Sequence, residues 1–203
     1  MRAPIVVSAV LLLLAAMTSF GAHAQAPEPV RIRGTVQDFD GHTLTVKTRE
    51  GEVVDLALTD PPAVNGLEAR SIEDIGDNDF IGTTAVKNDE GMWEALEVHI
   101  FPEAMRGAGE GHYAWDIPES TMTNAAVTGS TTSRDGRLLT LTYKGGTTDV
   151  QVTDDTQIVA FVPGSPDLLV PGAAIFALAV PGQDGTATAV AVVAETDGVK
   201  PPM

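Results

Sequence analysis

Residues 33–46 read RGTVQDFDGHTLTV, and this stretch decides the fold because it holds two strands and the turn between them. Asp40-Gly41 is a strong hairpin signal, since a type I′ turn needs positive φ angles that glycine adopts without strain. Leu44 and Val46 alternate with threonines, which is the period-two pattern of a strand with one buried face. The stretch therefore predicts a β-hairpin.

The same pattern occurs a second time about 95 residues later. Residues 128–141 read TGSTTSRDGRLLTL and again place an Asp-Gly turn between two strands. The segments that follow also match in order: residues 53–60 with 148–154, 80–82 with 170–172, 89–91 with 183–185, and 95–98 with 189–192. We therefore interpret the chain as a tandem repeat of one module.

Each copy is predicted to contain five short strands, with a longer connection between the third and the fourth. This arrangement is typical of a small barrel of the OB type. The predicted fold is all-β, with two tandem OB-like β-barrels joined by a long structured connection; one sandwich built from all the strands is the alternative. The predicted boundaries are 1–24 for a signal peptide, 25–102 for the first barrel, 103–124 for the connection, 125–198 for the second barrel and 199–203 for a tail.

The composition of the chain excludes several classes of protein. It has 203 residues, with 28 Asp and Glu against 12 Lys and Arg, a formal net charge of −16 and no cysteine. Nucleic-acid binding needs a basic surface, and none is expected here. Without cysteine there is no disulfide framework, no thiolate metal site and no thiol catalysis.

The N-terminus has the pattern of an export signal. Arg2 precedes the apolar run of residues 5–17, and Ala22-His23-Ala24 is a small-residue cleavage site before Gln25. Thirteen apolar residues fall short of the ~20 that a membrane-spanning helix needs. We expect a cleaved signal peptide, a mature chain without a membrane span, and a location in the periplasm or outside the cell.

Residues 99–124 have no counterpart in the repeat and are unusually rich in aromatic residues and histidines. Long connections of this kind are usually functional or disordered, and the aromatic content argues against disorder. We expect the segment to pack across the barrels. The predicted binding surface consists of Phe101, Tyr113 and Trp115, together with Trp93.

The same segment suggests a metal site. Imidazole, carboxylate and thioether groups form a ligand set that suits zinc or copper. The candidate ligands are His99, His112, Glu103, Asp116 and Met105. No short His-x-His spacing supports the site, and the alternative is that the histidines brace the connection by local hydrogen bonds.

The repeated pattern resembles the DUF5666 group, a family of exported bacterial small β-barrel domains of unknown function. The residues that carry the resemblance are IRGTV at 32–36, VQVTDDT at 150–156 and LVPGAAI at 169–175. The resemblance implies a small barrel for each copy. It implies no catalytic residues, and fold likeness does not define a function.

These patterns favour a non-catalytic binding module that acts through the barrel surfaces and the 99–124 segment. A protein partner and a small ligand held between the copies fit equally well. The alternative is a copper- or zinc-binding protein that uses His99 and His112. An enzyme ranks third, because the sequence shows no catalytic group. The continuous apolar run 173–180 is expected at the contact between the copies or in a homodimer interface.

Overall fold

The computed structural model describes residues 28–133, 136–182 and 186–202, and these form an all-β protein, as predicted. The predicted signal peptide, residues 1–24, lies outside the described residues. Thirteen strands form one continuous hydrogen-bonded sheet. The strands are β1 (Val30–Phe39), β2 (Thr43–Thr48), β3 (Val53–Leu58), β4 (Val64–Ala69), β5 (Phe80–Lys87), β6 (Trp93–Ile100), β7 (Gly111–Ala114), β8 (Thr121–Ser133), β9 (Gly136–Tyr143), β10 (Gly146–Val152), β11 (Gln157–Pro163), β12 (Ala174–Pro181) and β13 (Ala187–Ala194).

Helical structure in the described residues is limited to three short 3-10 turns. These are Ile72–Asp74, Glu103–Met105 and Pro166–Leu168. No helix in this part of the chain is long and apolar enough to cross a membrane.

The sheet contains a closed five-stranded barrel formed by β5, β6, β8, β9 and β10. Four antiparallel pairings link the strands in the order β6, β5, β8, β9 and β10. A parallel pairing between β10 and β6 closes the barrel, with Val150 beside Trp93. Strands β1, β2, β3, β12 and β13 repeat this pattern, and β13 runs parallel to β3. We refer to β1–β3 with β12–β13 as the first ring and to the closed barrel as the second ring.

Each ring combines strands from both halves of the chain. The first ring takes three strands from the first half and two from the second, and the second ring does the reverse. Residues 25–102 and 125–198 are therefore not the hydrogen-bonded units that the sequence predicted. The physical reason is that hydrophobic alternation specifies a strand and its buried face but not which copy supplies the next strand.

Strands β4 and β11 join the two rings. They pair with each other in antiparallel fashion, with Leu67 opposite Phe161. Strand β4 also runs parallel to β13 of the first ring, and β11 runs parallel to β6 of the second. The path from one ring to the other is thus an unbroken ladder of backbone hydrogen bonds.

Alternating side chains fill the interior of each ring. Leu44, Val46 and Leu56 are fully buried in the first ring, and Leu139 and Leu141 are fully buried in the second. The apolar run 173–180 belongs mostly to β12, which lies between β1 of the first half and β13 of the second. It is apolar throughout because one face fills the ring and the other faces a cavity described below.

The exchange of strands predicts how the chain behaves when it is cut. We expect separate fragments 28–107 and 108–202 to stay unfolded, because each would lack strands that complete both rings. An equimolar mixture should regain the β-sheet circular dichroism spectrum and elute as a one-to-one complex in gel filtration. Independent cooperative unfolding of residues 25–102 alone would contradict the exchanged pairing.

Candidate functional site

A cavity of about 230 Å³ lies at the junction of the two rings. Its floor comes from strands β4, β6, β11, β12 and β13, and residues 101–115 of the connection cover it. Most lining groups are apolar. The polar exceptions that matter below are Arg33, Glu97, His99 and Asn124.

Strand β6 places two titratable groups in the cavity. Because side chains alternate along a strand, Glu97 and His99 share one face while Val98 fills the second ring on the other. Glu97 is only 1% exposed. Its Oε1 accepts a hydrogen bond from the hydroxyl of Thr84, while its Oε2 is buried and has no partner in the described structure.

Burial governs the protonation of both groups. It raises the pKa of Glu97 to about 7, although the hydrogen bond from Thr84 and the charge of Arg33 oppose the rise. It lowers the pKa of His99 to about 4, and the charge of Arg33 adds to that effect. His99 is therefore neutral at neutral pH, while Glu97 titrates there.

Gly82 on β5 makes room for these groups. A methyl group at this position would lie 2.3 Å from Nε2 of His99 and 2.5 Å from Oδ1 of Asn124, far inside contact distance. The imidazole instead packs against Phe101 and Phe161, with ring centroids 5.6 and 5.3 Å away. Glycine at position 82 thus lets a histidine and an amide lie flat against the sheet.

Asn124 on β8 presents a second unpaired acceptor. Its Nδ2 donates to the carbonyl of Gly109 and to the hydroxyl of Tyr113, each at 3.2 Å. The carbonyl of Gly109 can only accept, so this assignment of the amide is the one that the hydrogen bonds support. Oδ1 is buried without a partner among the described residues.

Ion pairs and ring contacts fasten the cover at the rim of the cavity. Nε of Arg33 lies 2.9 Å from a carboxylate oxygen of Asp116, and the same guanidinium donates to the carbonyl of Pro202 at 3.1 Å. It also lies 4.5 Å from the ring centroid of Phe176. Arg33 on β1 therefore holds both the connection and the C-terminal segment in place.

The structure brings together most of the predicted binding surface. Phe101, Tyr113 and Trp115 all line the cavity. Trp93 does not: it packs at the end of the second ring, 5.7 Å from the ring of His112 and 5.2 Å from the ammonium group of Lys87. Phe101 and the aromatic residues of the connection thus line the cavity between the rings.

The structure does not assemble the predicted metal ligands. His99 faces the cavity, whereas His112 shares the opposite face with Thr123, whose hydroxyl lies 2.8 Å from its Nδ1. Glu103 pairs with Arg106 and Asp116 with Arg33, while Met105 lines the cavity. In residues 28–133, 136–182 and 186–202, no three His, Asp or Glu side chains are close enough to hold a metal ion. Alternation along the strands separates the two histidines.

Comparison with known proteins finds no matching family model, no matching curated protein and no matching solved structure. The resemblance to exported small β-barrel domains therefore stays a prediction.

The candidate site residues chosen from the sequence include His99 but not Glu97 or Asn124. Glu97 and Asn124 occur in strands of ordinary pattern, and only the pairing of β5 with both neighbours brings them together. One signal was present: a glutamate and a histidine two residues apart on a strand whose other face is apolar.

The protonation of Glu97 and His99 makes a prediction about stability. Between pH 4.5 and about 7 the folded state keeps a proton on Glu97 that the unfolded state has released, so the free energy of unfolding falls as pH rises. Between about 4 and 6.5 the unfolded state holds a proton on its histidine that buried His99 lacks, so this contribution rises with pH. The two slopes oppose each other in the wild type.

The substitution Glu97→Gln should remove the fall in the free energy of unfolding with rising pH that Glu97 causes. Relative to wild type, its free energy of unfolding should increase by about 3 kcal/mol between about pH 4.5 and pH 7.5, measured by urea denaturation. The matched control is Glu94→Gln on the same strand, where Glu94 is partly exposed and lies outside the cavity. Equal pH profiles for Glu97→Gln and wild type would show that Glu97 is not buried as described.

Proposed function

We propose that the protein is a non-catalytic binding protein for a small molecule that occupies the cavity between the two rings. One observation carries the proposal: a buried glutamate oxygen, without a partner among the described residues, stands in a mostly apolar cavity. Buried polar groups in proteins are nearly always paired, and leaving one unpaired costs about 1–3 kcal/mol. A ligand with an apolar body and one polar group would satisfy this oxygen and fill the space.

The volume of the cavity limits the ligand. An apolar cavity of about 150 Å³ is known to take up benzene. At about 230 Å³, the present cavity suits a single ring with a short side chain. Ligand pockets typically combine such apolar walls with a few fixed polar groups, which Glu97, Asn124 and Arg33 would provide here.

The export pattern of residues 1–24 supports a place of action in the periplasm or outside the cell. This is a proposal from the sequence.

We also propose that the two rings are OB-type barrels that arose by duplication and exchanged their last two strands. The strand order around the first ring is β1, β2, β3, β13 and β12, and around the second it is β8, β9, β10, β6 and β5. In each ring, three strands of one half are thus followed by the last two strands of the other. The β-bulges support this, because they occur at corresponding places in β5–β6 and β12–β13, between Thr84 and Ala85 and between Leu178 and Ala179. The OB type is a five-stranded barrel, and each ring has five strands.

Filling the cavity tests the proposed function. Ala191 of β13 lines the cavity, and Ala191→Phe would occupy part of it. We expect wild type to bind 2-phenylethanol, with a stabilisation of about 1.4 kcal/mol at a ligand concentration ten times Kd, measured by thermal unfolding. Ala191→Phe should abolish this stabilisation.

The matched control is Val190→Phe, since Val190 is the neighbouring residue and is exposed. It should bind 2-phenylethanol as wild type does. If both variants bind 2-phenylethanol equally well, the ligand binds outside the cavity. If wild type binds neither 2-phenylethanol nor its charged analogues phenethylamine and 3-phenylpropionate, the proposal is contradicted.

A further inference from the structure

The lining residues carry three buried polar atoms without a partner among the described residues: two acceptors, considered next, and one donor, the indole Nε1 of Trp115. The two acceptors are Oε2 of Glu97 and Oδ1 of Asn124, both buried and both without a partner in the described residues. An acceptor on the ligand would leave them unpaired. A group with several N–H bonds would satisfy them.

The walls of the cavity favour a cation. Five of the ten aromatic side chains of the chain line it, which are Phe101, Tyr113, Trp115, Phe161 and Phe176. Aromatic faces attract ammonium groups, and the attraction is stronger where water is excluded. The aromatic content of this protein is only 5%, so this concentration around one carboxylate is not a general property of its core.

Two arginines lie near the cavity: Arg31 lies 4.0 Å from the ring centroid of Trp115, and the charge of Arg33 at the rim is neutralised. Arg33 is the only Lys or Arg among the lining residues, and it is paired with Asp116 and with the carbonyl of Pro202. The other groups around Glu97 are the hydroxyl of Thr84 on β5 and neutral His99 on β6. Among the residues that the structure describes, no Lys or Arg side chain forms an ion pair with Glu97, the one carboxylate that lines the cavity.

We propose that the cavity recognises a primary ammonium group attached through a short chain to a single aromatic ring, with Glu97 as its counter-ion. The proposal rests on the proposed function and names its ligand class. The ammonium group would donate to Oε2 of Glu97 and to Oδ1 of Asn124, and the ring would lie among the aromatic side chains of the cover. Hydrogen bonds to a charged group contribute about 1.5–3 kcal/mol, which corresponds to a preference of about tenfold or more over a neutral analogue.

Three probes of similar size and different charge test this proposal. Isothermal titration calorimetry at about pH 8, where Glu97 is mostly ionised, should use phenethylamine, 2-phenylethanol and 3-phenylpropionate. We expect wild type to bind phenethylamine about tenfold or more tightly than 2-phenylethanol, and to bind 3-phenylpropionate most weakly.

Glu97→Gln should remove the preference for the amine while leaving the Kd for 2-phenylethanol within about threefold of the wild-type value. The control Glu94→Gln removes the same charge outside the cavity and should keep the preference. A second measurement needs no variant. At about pH 6.5, binding of phenethylamine should release about half a proton or more from Glu97, as judged by binding enthalpies in two buffers of different ionisation enthalpy.

The outcomes separate this inference from the proposed function. Binding of 2-phenylethanol with no preference for the amine overturns the inference and leaves the proposed function standing. If 3-phenylpropionate binds more tightly than phenethylamine, the inference is also overturned and the proposed function stands, because recognition would then be assigned to Arg33. Retention of the preference in Glu97→Gln also overturns the inference, and no binding of any probe to wild type contradicts both.

Discussion

The pairing of β1 with β12, and the matching pair of β5 with β8, is the constraint on which the rest of the structure depends. Each pair joins a strand of one half of the chain to a strand of the other and completes a ring. Neither half of the chain contains all five strands of a ring, so both rings depend on these hydrogen bonds. The exchange also forces β4 and β11 to meet between the rings, and the cavity forms on the sheet that they build.

Strands β6 and β13 occupy matching positions in the two rings but differ in the chemistry of their side chains. Counting 94 positions along the chain, Glu97 of β6 corresponds to Ala191 of β13, and His99 to Val193. All four residues line the same cavity. The cavity therefore has a polar wall from β6 and an apolar wall from β13.

The sequence predicted those features that depend on neighbouring residues. The Asp40-Gly41 turn and the alternation through Leu44 and Val46 lead directly to the observed hairpin of β1 and β2. The sequence could not predict that β1 pairs with β12 of the other half, because both strands carry the same alternation whichever copy they pair with. The inward position of Phe101 and the separation of His112 from His99 follow from long-range pairing, which side-chain type alone does not specify.

The exchange also fixes the order in which the rings can be completed during synthesis. Thr35 of β1 pairs with Ala174 of β12, so the first strands to emerge wait for nearly the last. The second ring, which needs only residues 80–152, can close while the first still lacks two strands. Pairings across such separations are slow to form. The earliest part of the chain thus passes through a state with two open strand edges, the period in which it is most exposed to pairing with another copy.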